Sequence, residues 1–394
     1  MEKVKIIDFC NISNGFAFKS DKYISENGAR VIRITNVQKG KIVDNDPKLY
    51  PFSELDKLEA YKIFEGDILM SLTGNVGRVG RFPKELLPAY INQRVCRVMP
   101  KNEKLDTNFL FHFLNSDVFE NEAIKNSAGA AQLNLSTKWL GDFEIPLPNL
   151  ATQQRIATIL DQADAIIQNN RAIVQKYDAL TQSLFLDMFG DPVKNEKGWK
   201  VKSLGDITNL ITDGKHGNCN DEKDSGYYFI SAKDVKNNLI NYTDAREIPK
   251  IEFEEVDKRT NLQPGDLVMI NTGATIGRMA IAKDIPETRK TTFQKSVAVI
   301  KVKNDIISSF YLQYVLELGI KTFANMGSGS AIKNLLLSEM RRFKIILPNL
   351  ELQNQFAERV AMIEAQKQQA QQALAKSEEL FASLLQRAFK GELS

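Results

Sequence analysis

The sequence predicts an α+β protein made of one module written twice. Two tandem globular domains are each followed by a long helix, and the helices are expected to pair as an antiparallel coiled coil, giving a pseudo-two-fold internal repeat. Three observations predict this. Segments recur in the same order with a shift of roughly 200 residues. Each copy opens with short β-like runs broken by Gly turns. Each copy then closes on a Pro-free stretch with apolar residues at helical spacing. The expected boundaries are 1–150 for the first globular domain, 151–195 for a central helix, 196–350 for the second domain and 351–394 for a C-terminal helix.

The repeat rests on ordered matches. Gly66-Asp-Ile-Leu-Met70 pairs with Gly265-Asp-Leu-Val-Met269. Thr73-Gly-Asn-Val-Gly-Arg78 pairs with Thr272-Gly-Ala-Thr-Ile-Gly-Arg278, with one residue inserted. Gln93-Arg94 then matches Gln294-Lys295, and Phe109 matches Phe310. Leu147-Pro-Asn-Leu150 matches Leu347-Pro-Asn-Leu350, with Gln153 and Ala157 against Gln353 and Ala357.

Within each copy, Val31–Ile34, Asp67–Met70 and Arg94–Val98, then Asp266–Ile270 and Ser296–Ile300, are expected strands. A short helix over Thr107–Leu114, matched by Ser308–Leu316, follows them. After Pro146 and Pro148 the composition changes. Ile156, Leu160, Ala163, Ile167, Val174, Tyr177, Leu184 and Met188 recur at the spacing of a coiled-coil seam, and Asn170 falls on it. Gly190-Asp-Pro192 ends that helix. Phe356, Val360, Ile363, Ala370, Leu374, Phe381, Leu384 and Ala388 keep the register in the second copy, up to Gly391. About forty helical residues span roughly 60 Å, enough for a rod that holds two heads apart. The stripe is core first, and each seam's nearest partner is the other copy. Gln366–Gln372 reads as a solvated helix face.

Length, at 394 residues, asks for two or three domains. Hydrophobic residues make up 43% and charged residues 26%, which suits a soluble chain with real cores. Net charge is +3 and the isoelectric point about 8.5, mildly basic values that permit nucleic-acid binding without establishing it. Cys10, Cys96 and Cys219 are scattered and odd in number, which fits a reducing cytoplasm and argues against a disulfide framework. The N-terminus lacks a signal-like apolar stretch, and no long apolar run occurs, so a soluble cytoplasmic protein is expected.

This organisation resembles the specificity subunits of type I restriction-modification systems over essentially the whole chain. The residues that carry the resemblance are Leu147-Pro-Asn-Leu-Ala-Thr-Gln-Gln-Arg-Ile-Ala157, Leu184-Phe-Leu-Asp-Met-Phe-Gly-Asp-Pro192 and Leu384-Leu-Gln-Arg-Ala-Phe-Lys-Gly-Glu-Leu393, together with the duplicated Thr-Gly…Gly-Arg turns. The resemblance implies two target-recognition domains, each reading half of a split, non-palindromic site on double-stranded DNA, with the helices setting the spacer. It implies two methyltransferase subunits docked on the helices and methylating one adenine per half-site, and restriction subunits that add ATP-driven cleavage. The chain itself is then no enzyme and holds no cofactor. S-adenosylmethionine, ATP and Mg belong to the partner subunits.

Reading DNA needs loop donors and acceptors, cations for phosphate and close backbone approach. The turns Thr73–Arg78 and Thr272–Arg278 supply these through Thr73, Asn75 and Arg78, and through Thr272, Thr275 and Arg278, unless they are plain hairpin turns with a solvated Arg. The loop Asn14–Ser20, with Asn14 and Lys19, corresponds to Thr212–Asn218, where Lys215, His216 and Asn218 offer three hydrogen-bonding chemistries. His216 and Cys219 alone cannot complete a tetrahedral metal site. His112, between Phe111 and Phe113, reads as packing. Gln93, Arg94, Gln294 and Lys295 suit base and phosphate contact, against the blander reading of a strand-end charge. The small-residue loops Ser127–Gln132 and Gly327–Lys333, with Gln132, Ser328, Ser330 and Lys333, suit backbone contact with phosphate, against a plain turn. Arg33, Thr35 and Asn36, with Lys233 and Asp234 opposite, complete the candidates. The two copies diverge at Asn11–Asp21 against Ile211–Asp221, as heads that read different bases on one frame would.

Enzyme signatures are missing together. Pro148-Asn149 and Pro348-Asn349 lack the aromatic of a methyltransferase Asn-Pro-Pro-Tyr motif, and the turn from Gly273 to Arg278 is too short for a phosphate loop and has no Lys. Two histidines and no carboxylate cluster leave no triad and no nuclease metal site in view. The alternatives are a stand-alone two-headed DNA-binding regulator, which needs no methyltransferase, and a structural adaptor, which has no salt-dependent DNA affinity.

Overall fold

A computed structural model describes residues 3–127, 134–325 and 334–393. The loop residues Gln132, Ser328, Ser330 and Lys333 lie outside the described residues. The chain divides into two compact units, Met1–Ala172 with Ala370–Ser394, and Ile173–Gln369. The domain limits expected from sequence kept each long helix whole. The structure instead assigns the two ends of each helix to different units, because apolar residues at each helix's C-terminal end enter a core made elsewhere in the chain.

In the first unit, Lys3–Lys5 pairs antiparallel with Glu144–Pro146. A six-stranded sheet runs in the order Cys10–Asn14, Val95–Pro100, Ile68–Ser71, Val79–Arg81, Gly40–Ile42, Val37–Gln38. A second sheet has the order Leu49–Pro51, Gly28–Ile32, Ala89–Ile91, Lys62–Ile63. Alternation along Val95–Val98 sends Cys96 and Val98 into the main core with Met70, Phe109, Phe113 and Phe119. The central helix, Leu150–Phe189, adds Ile156, Ala157 and Leu160 to that core. The C-terminal helix, Leu350–Lys390, adds Leu385 and Ala388, and its Phe389 ring lies 5.0 Å from Phe113.

The second unit repeats the plan. Lys200–Ser203 pairs with Lys344–Leu347. A four-stranded sheet has the order Thr208–Asp213, Val297–Val302, Leu267–Ile270, Met279–Ile281, and a three-stranded one the order Arg246–Glu247, Tyr228–Ile230, Thr291–Phe293. Here Phe356 and Val360 come from the start of the C-terminal helix, and Phe185 and Phe189 from the end of the central helix. Phe185 packs edge-on to Phe356 at 5.5 Å. A helix that the sequence analysis did not anticipate, Lys250–Thr260, buries Phe253, Val256 and Thr260.

Both long helices begin in the same way. Asn149 and Asn349 sit just before them and accept from the backbone N–H of Thr152 (2.8 Å) and Leu352 (2.9 Å), as helix caps do. One turn on, Gln153 is fully buried. Its Oε1 accepts from the Asp106 N–H (2.8 Å), and its Nε2 donates to the carbonyls of Lys104 (3.0 Å) and Pro148 (2.8 Å). Gln353 does the same with Ser308 (2.9 Å), Ile306 (3.3 Å) and Pro348 (3.0 Å).

That pairing sets the register of the short helices. Asp106 corresponds to Ser308, so Phe109 matches Tyr311, not Phe310 as the sequence alignment had it. Phe109 and Tyr311 are both buried.

Each unit holds its own antiparallel helix contact. In the first, Asn170 Nδ2 donates to Ser377 Oγ (3.2 Å) and Arg171 pairs with Glu378 (2.6 Å). In the second, Lys367 pairs with Asp178 (2.6 Å). His112 is buried, with its ring 2.7 Å from Asp161. Burial outweighs that carboxylate and lowers its pKa from the ordinary 6.5, so the ring is held neutral. Among the described residues no helix is long and apolar enough to cross a membrane.

Two predictions follow from this packing. Gln153→Leu leaves a buried N–H and two carbonyls unpaired, so chemical denaturation should show a loss of about 2 kcal/mol or more, against a few tenths for Gln168→Leu on an exposed face. For His112, a depressed folded pKa means that the unfolded chain binds the proton first. Its contribution is full above pH about 6.5 and is lost as pH falls from there toward the folded value. The melting temperature of the native chain should therefore drop, as pH falls below about 6.5, more steeply than that of His112→Gln.

Candidate nucleic-acid interface

In the first unit, the strands Cys10–Asn14, Val95–Pro100, Ile68–Ser71 and Val79–Arg81 alternate in direction, so three loops emerge at one end of the sheet. Backbone bonds stitch those loops together. Phe16 N–H donates to Ile91 O (2.8 Å), Gln93 N–H to Phe16 O (2.8 Å), Leu72 N–H to Arg94 O (2.9 Å) and Gly77 N–H to Ser71 O (3.0 Å). The second unit repeats the stitching. Lys215 N–H donates to Phe293 O (2.7 Å), Lys295 N–H to Lys215 O (3.1 Å), Asn271 N–H to Ser296 O (3.0 Å) and Gly277 N–H to Ile270 O (2.9 Å). The first loop presses so close that a Cβ on Gly15 would stand 2.2 Å from Asn92 O, and one on Gly214 1.8 Å from Phe293 O. Only glycine fits either position.

These bonds correct one sequence match. Asn92 corresponds to Gln294, Gln93 to Lys295 and Arg94 to Ser296, one position away from the alignment of Gln93-Arg94 with Gln294-Lys295. Two extra residues between Ala282 and Thr291, relative to Phe82–Ala89, shift the frame.

Most of the sequence candidates gather on these ends. Asn14, Lys19, Asn75, Gln93 and Arg94 are exposed in the first unit, and His216, Asn218, Lys233, Arg278 and Lys295 in the second. Arg78 is half-buried, with Nη1 donating to Gln38 Oε1 (2.7 Å). The half-buried Thr73 keeps a buried hydroxyl without a partner, whereas Thr272 Oγ1 donates to Asn334 Oδ1 (3.0 Å). Thr275 and Gln294 are half-buried. Arg33 is half-buried and paired with Asp46 (3.4 Å), and Thr35 beside it is exposed.

Two candidates belong to the frame. Asn36 is buried: its Oδ1 accepts from the Arg33 N–H (2.8 Å), and its Nδ2 donates to Val43 O and Asp44 Oδ1 (2.9 Å each). Its side chain shapes a turn and offers nothing to a ligand. Asp234 does the same in the second unit, accepting from Ser231 N–H (2.9 Å) and Oγ (2.7 Å). Lys215 lies 3.3 Å from Glu255 and 3.6 Å from Glu252, so its ammonium is already neutralised.

Sequence reasoning missed the residues that hold the second unit's loop. Arg246 donates to Asn218 Oδ1 (2.8 Å), Asp221 Oδ1 (2.6 Å) and Cys219 O (2.8 Å). Arg259 donates to Gly214 O. Glu252 accepts from the Asn220 side chain (2.7 Å) and from its N–H (3.3 Å). The Cys219 thiol, the Asn220 donors and Lys215 hold the Glu252 carboxyl below the ordinary glutamate range, while burial, then Glu252, pushes that thiol up to about 11. Pro249 followed by the apolar Phe253 and Val256, one helical turn apart, was the legible signal for the helix that carries Glu252 and Arg259.

Loops clustered at the ends of sheet strands, presenting amides, hydroxyls and cations, form a polar surface repeated in each unit. The family model described as the type I restriction modification DNA specificity domain matches residues 1–176 and again 196–375. The chain belongs to this family, as a specificity subunit of a type I restriction-modification system. The type I restriction enzyme EcoBI specificity subunit of Escherichia coli is 25% identical over 426 residues, covering 100% of this chain and 86% of that one. Two solved chains share the fold. The type I restriction-modification S subunit of M. genitalium has 16% identity and a TM-score of 0.56, covering 98% of this chain and 96% of its own. A chain from a structure of type I system assembly and conformational transition has 18% identity and a TM-score of 0.64, covering 99% and 98%.

Arg246→Ala should free the loop without unfolding the unit. Hydrogen exchange should report amides between 215 and 221 exchanging about tenfold faster, with Val297–Val302 unchanged.

Proposed function

We propose that each globular unit reads one half of a bipartite double-stranded DNA site, and that the chain contributes recognition but no catalysis. The observation that carries this reading is the pair of stitched loop clusters. The same backbone bonds recur in both units, while the side chains they present differ: Asn14, Asn75, Gln93 and Arg94 in one, His216, Asn218 and Lys295 in the other. A shared frame with unlike donors suits two half-sites of different sequence. In this reading the long helices pair as an antiparallel coiled coil, set the spacer and dock two methyltransferase subunits. S-adenosylmethionine sits on those subunits, and ATP and Mg on the restriction subunits. The complex works in the cytoplasm.

A genome-wide map of N6-methyladenine in the native host, with this gene intact and deleted, tests the reading. Deletion should erase one methylated motif made of two unlike half-sites around a fixed gap. An unchanged methylome, or loss of a motif with no gap, would count against it.

A further inference from the structure

The two units share a frame but differ at one junction. In the first, the turn entering Val79–Arg81 is tied to the hairpin Val37–Ile42. Arg78 Nη1 donates to Gln38 Oε1 (2.7 Å), the Gly40 N–H donates to Asn115 Oδ1 (3.0 Å), and Lys39 pairs with Asp117 (3.2 Å) and Glu120 (2.6 Å).

The second unit repeats both turns with other residues. Val235 pairs with Ile240 as Val37 does with Ile42, which puts Lys236 at the position of Gln38. Met269 pairs with Met279 as Met70 does with Val79, which puts Arg278 at the position of Arg78. An ammonium and a guanidinium carry donors only, so the bond that closes the first unit cannot form here.

A cleft of about 530 Å³ stands in its place, lined by Lys236, Asn237, Asn238, Arg278, Glu317 and Ile320 among others. Lys236 and Arg278 are exposed, and neither has an ion-pair or side-chain hydrogen-bond partner among the described residues. Among the described residues Glu317 makes no ion pair with either of them. It accepts from Gln313 Nε2 (2.8 Å), and burial raises its carboxyl above the ordinary glutamate range.

We propose that Lys236 and Arg278 form a phosphate clamp in the second unit, with no counterpart in the first, that seats a backbone phosphate of the DNA. The proposal rests on the DNA-specificity reading and adds a division of labour to it. Two adjacent donors-only cations lack what a phosphodiester supplies, namely anionic acceptor oxygens. Arg278 opens directly off the recognition turn Thr272–Arg278, so a phosphate held there fixes how the neighbouring loops meet the base edges. In the first unit the matching Arg is held by Gln38, and Lys39 beside it is paired with Asp117 and Glu120.

The test is equilibrium binding of the full chain to a duplex of unrelated sequence, at salt concentrations between about 50 and 200 mM. Lys236→Ala and Arg278→Ala should each flatten the plot of log affinity against log salt by about 0.9, so the fall in affinity over that range shrinks about threefold. The loss should be the same on the cognate duplex, since phosphate contacts carry no sequence information. Gln38→Lys in the first unit should steepen the plot by a similar amount. Unchanged slopes in both alanine variants would overturn the clamp. So would a loss for Arg278→Ala confined to the cognate duplex, which would make that residue a base reader. A native chain that binds DNA with no salt dependence would instead sink the DNA-specificity reading, and the clamp with it.

Discussion

A buried amide holds each globular unit to its helix. Gln153 and Gln353 are fully enclosed, and a carboxamide taken out of water must find partners or cost stability. Each finds three, all on backbone: one N–H just before the short helix, one carbonyl in the loop leading to it, and one carbonyl at the proline before the long helix. Because every partner is main chain, the bond set locks three segments to one another whatever their side chains are. Apolar packing alone would leave the helix free to slide by a residue. The amide has only one position in which all its partners are met.

That lock gives the ends of the helices their meaning. With its start pinned, each long helix sets where its own stripe of apolar residues faces. The first unit then receives Leu385, Ala388 and Phe389 from the C-terminal helix, and the second receives Phe185 and Phe189 from the central one. These are large apolar surfaces, and each buried aromatic is worth about 2–3 kcal/mol in transfer terms alone. Between them the stripe turns polar: Asn170 bonds Ser377 and Lys367 pairs with Asp178. Polar residues on a helix seam select one register at a cost in stability, which suits helices whose length has to be reproducible.

Much of this was legible in the sequence. The helix periodicity was strong and uninterrupted, and the structure's helices at Leu150–Phe189 and Leu350–Lys390 start at the repeated Leu-Pro-Asn-Leu. The repeat was legible because strand-and-turn segments such as Gly66–Met70 and Gly265–Met269 kept both spacing and residue type. The register between repeats was not. Matching Gln93 to Gln294 by residue type was off by one, because two residues are inserted in a loop whose length no core position constrains. The partners of the candidate residues were also out of reach. Nothing local says that Lys215 meets Glu252 and Glu255, or that Arg246 spans the loop to Asn218, since these contacts join residues tens of positions apart.

The same physics explains why two unlike loop surfaces can share one frame. A loop whose position depends on its own side chains moves when those side chains change. Here the roots of the three loops of each unit are placed by N–H to carbonyl bonds and by the glycines at 15 and 214, where backbone presses on backbone, while the rest of the 215–221 loop is held by Arg246 and Glu252. Phe16 stands against Lys215, Gln93 against Lys295 and Arg94 against Ser296, with the stitching bonds intact throughout. Side chains at these stitched positions can differ in charge and hydrogen-bonding character without disturbing the backbone bonds, and the tightest constraint falls on the glycines, which cannot carry a side chain at all. A protein whose task is to present different chemistry on a constant scaffold needs this separation. It places the cost of change in the loops' exposed atoms and leaves the core, the buried amides and the helix register untouched.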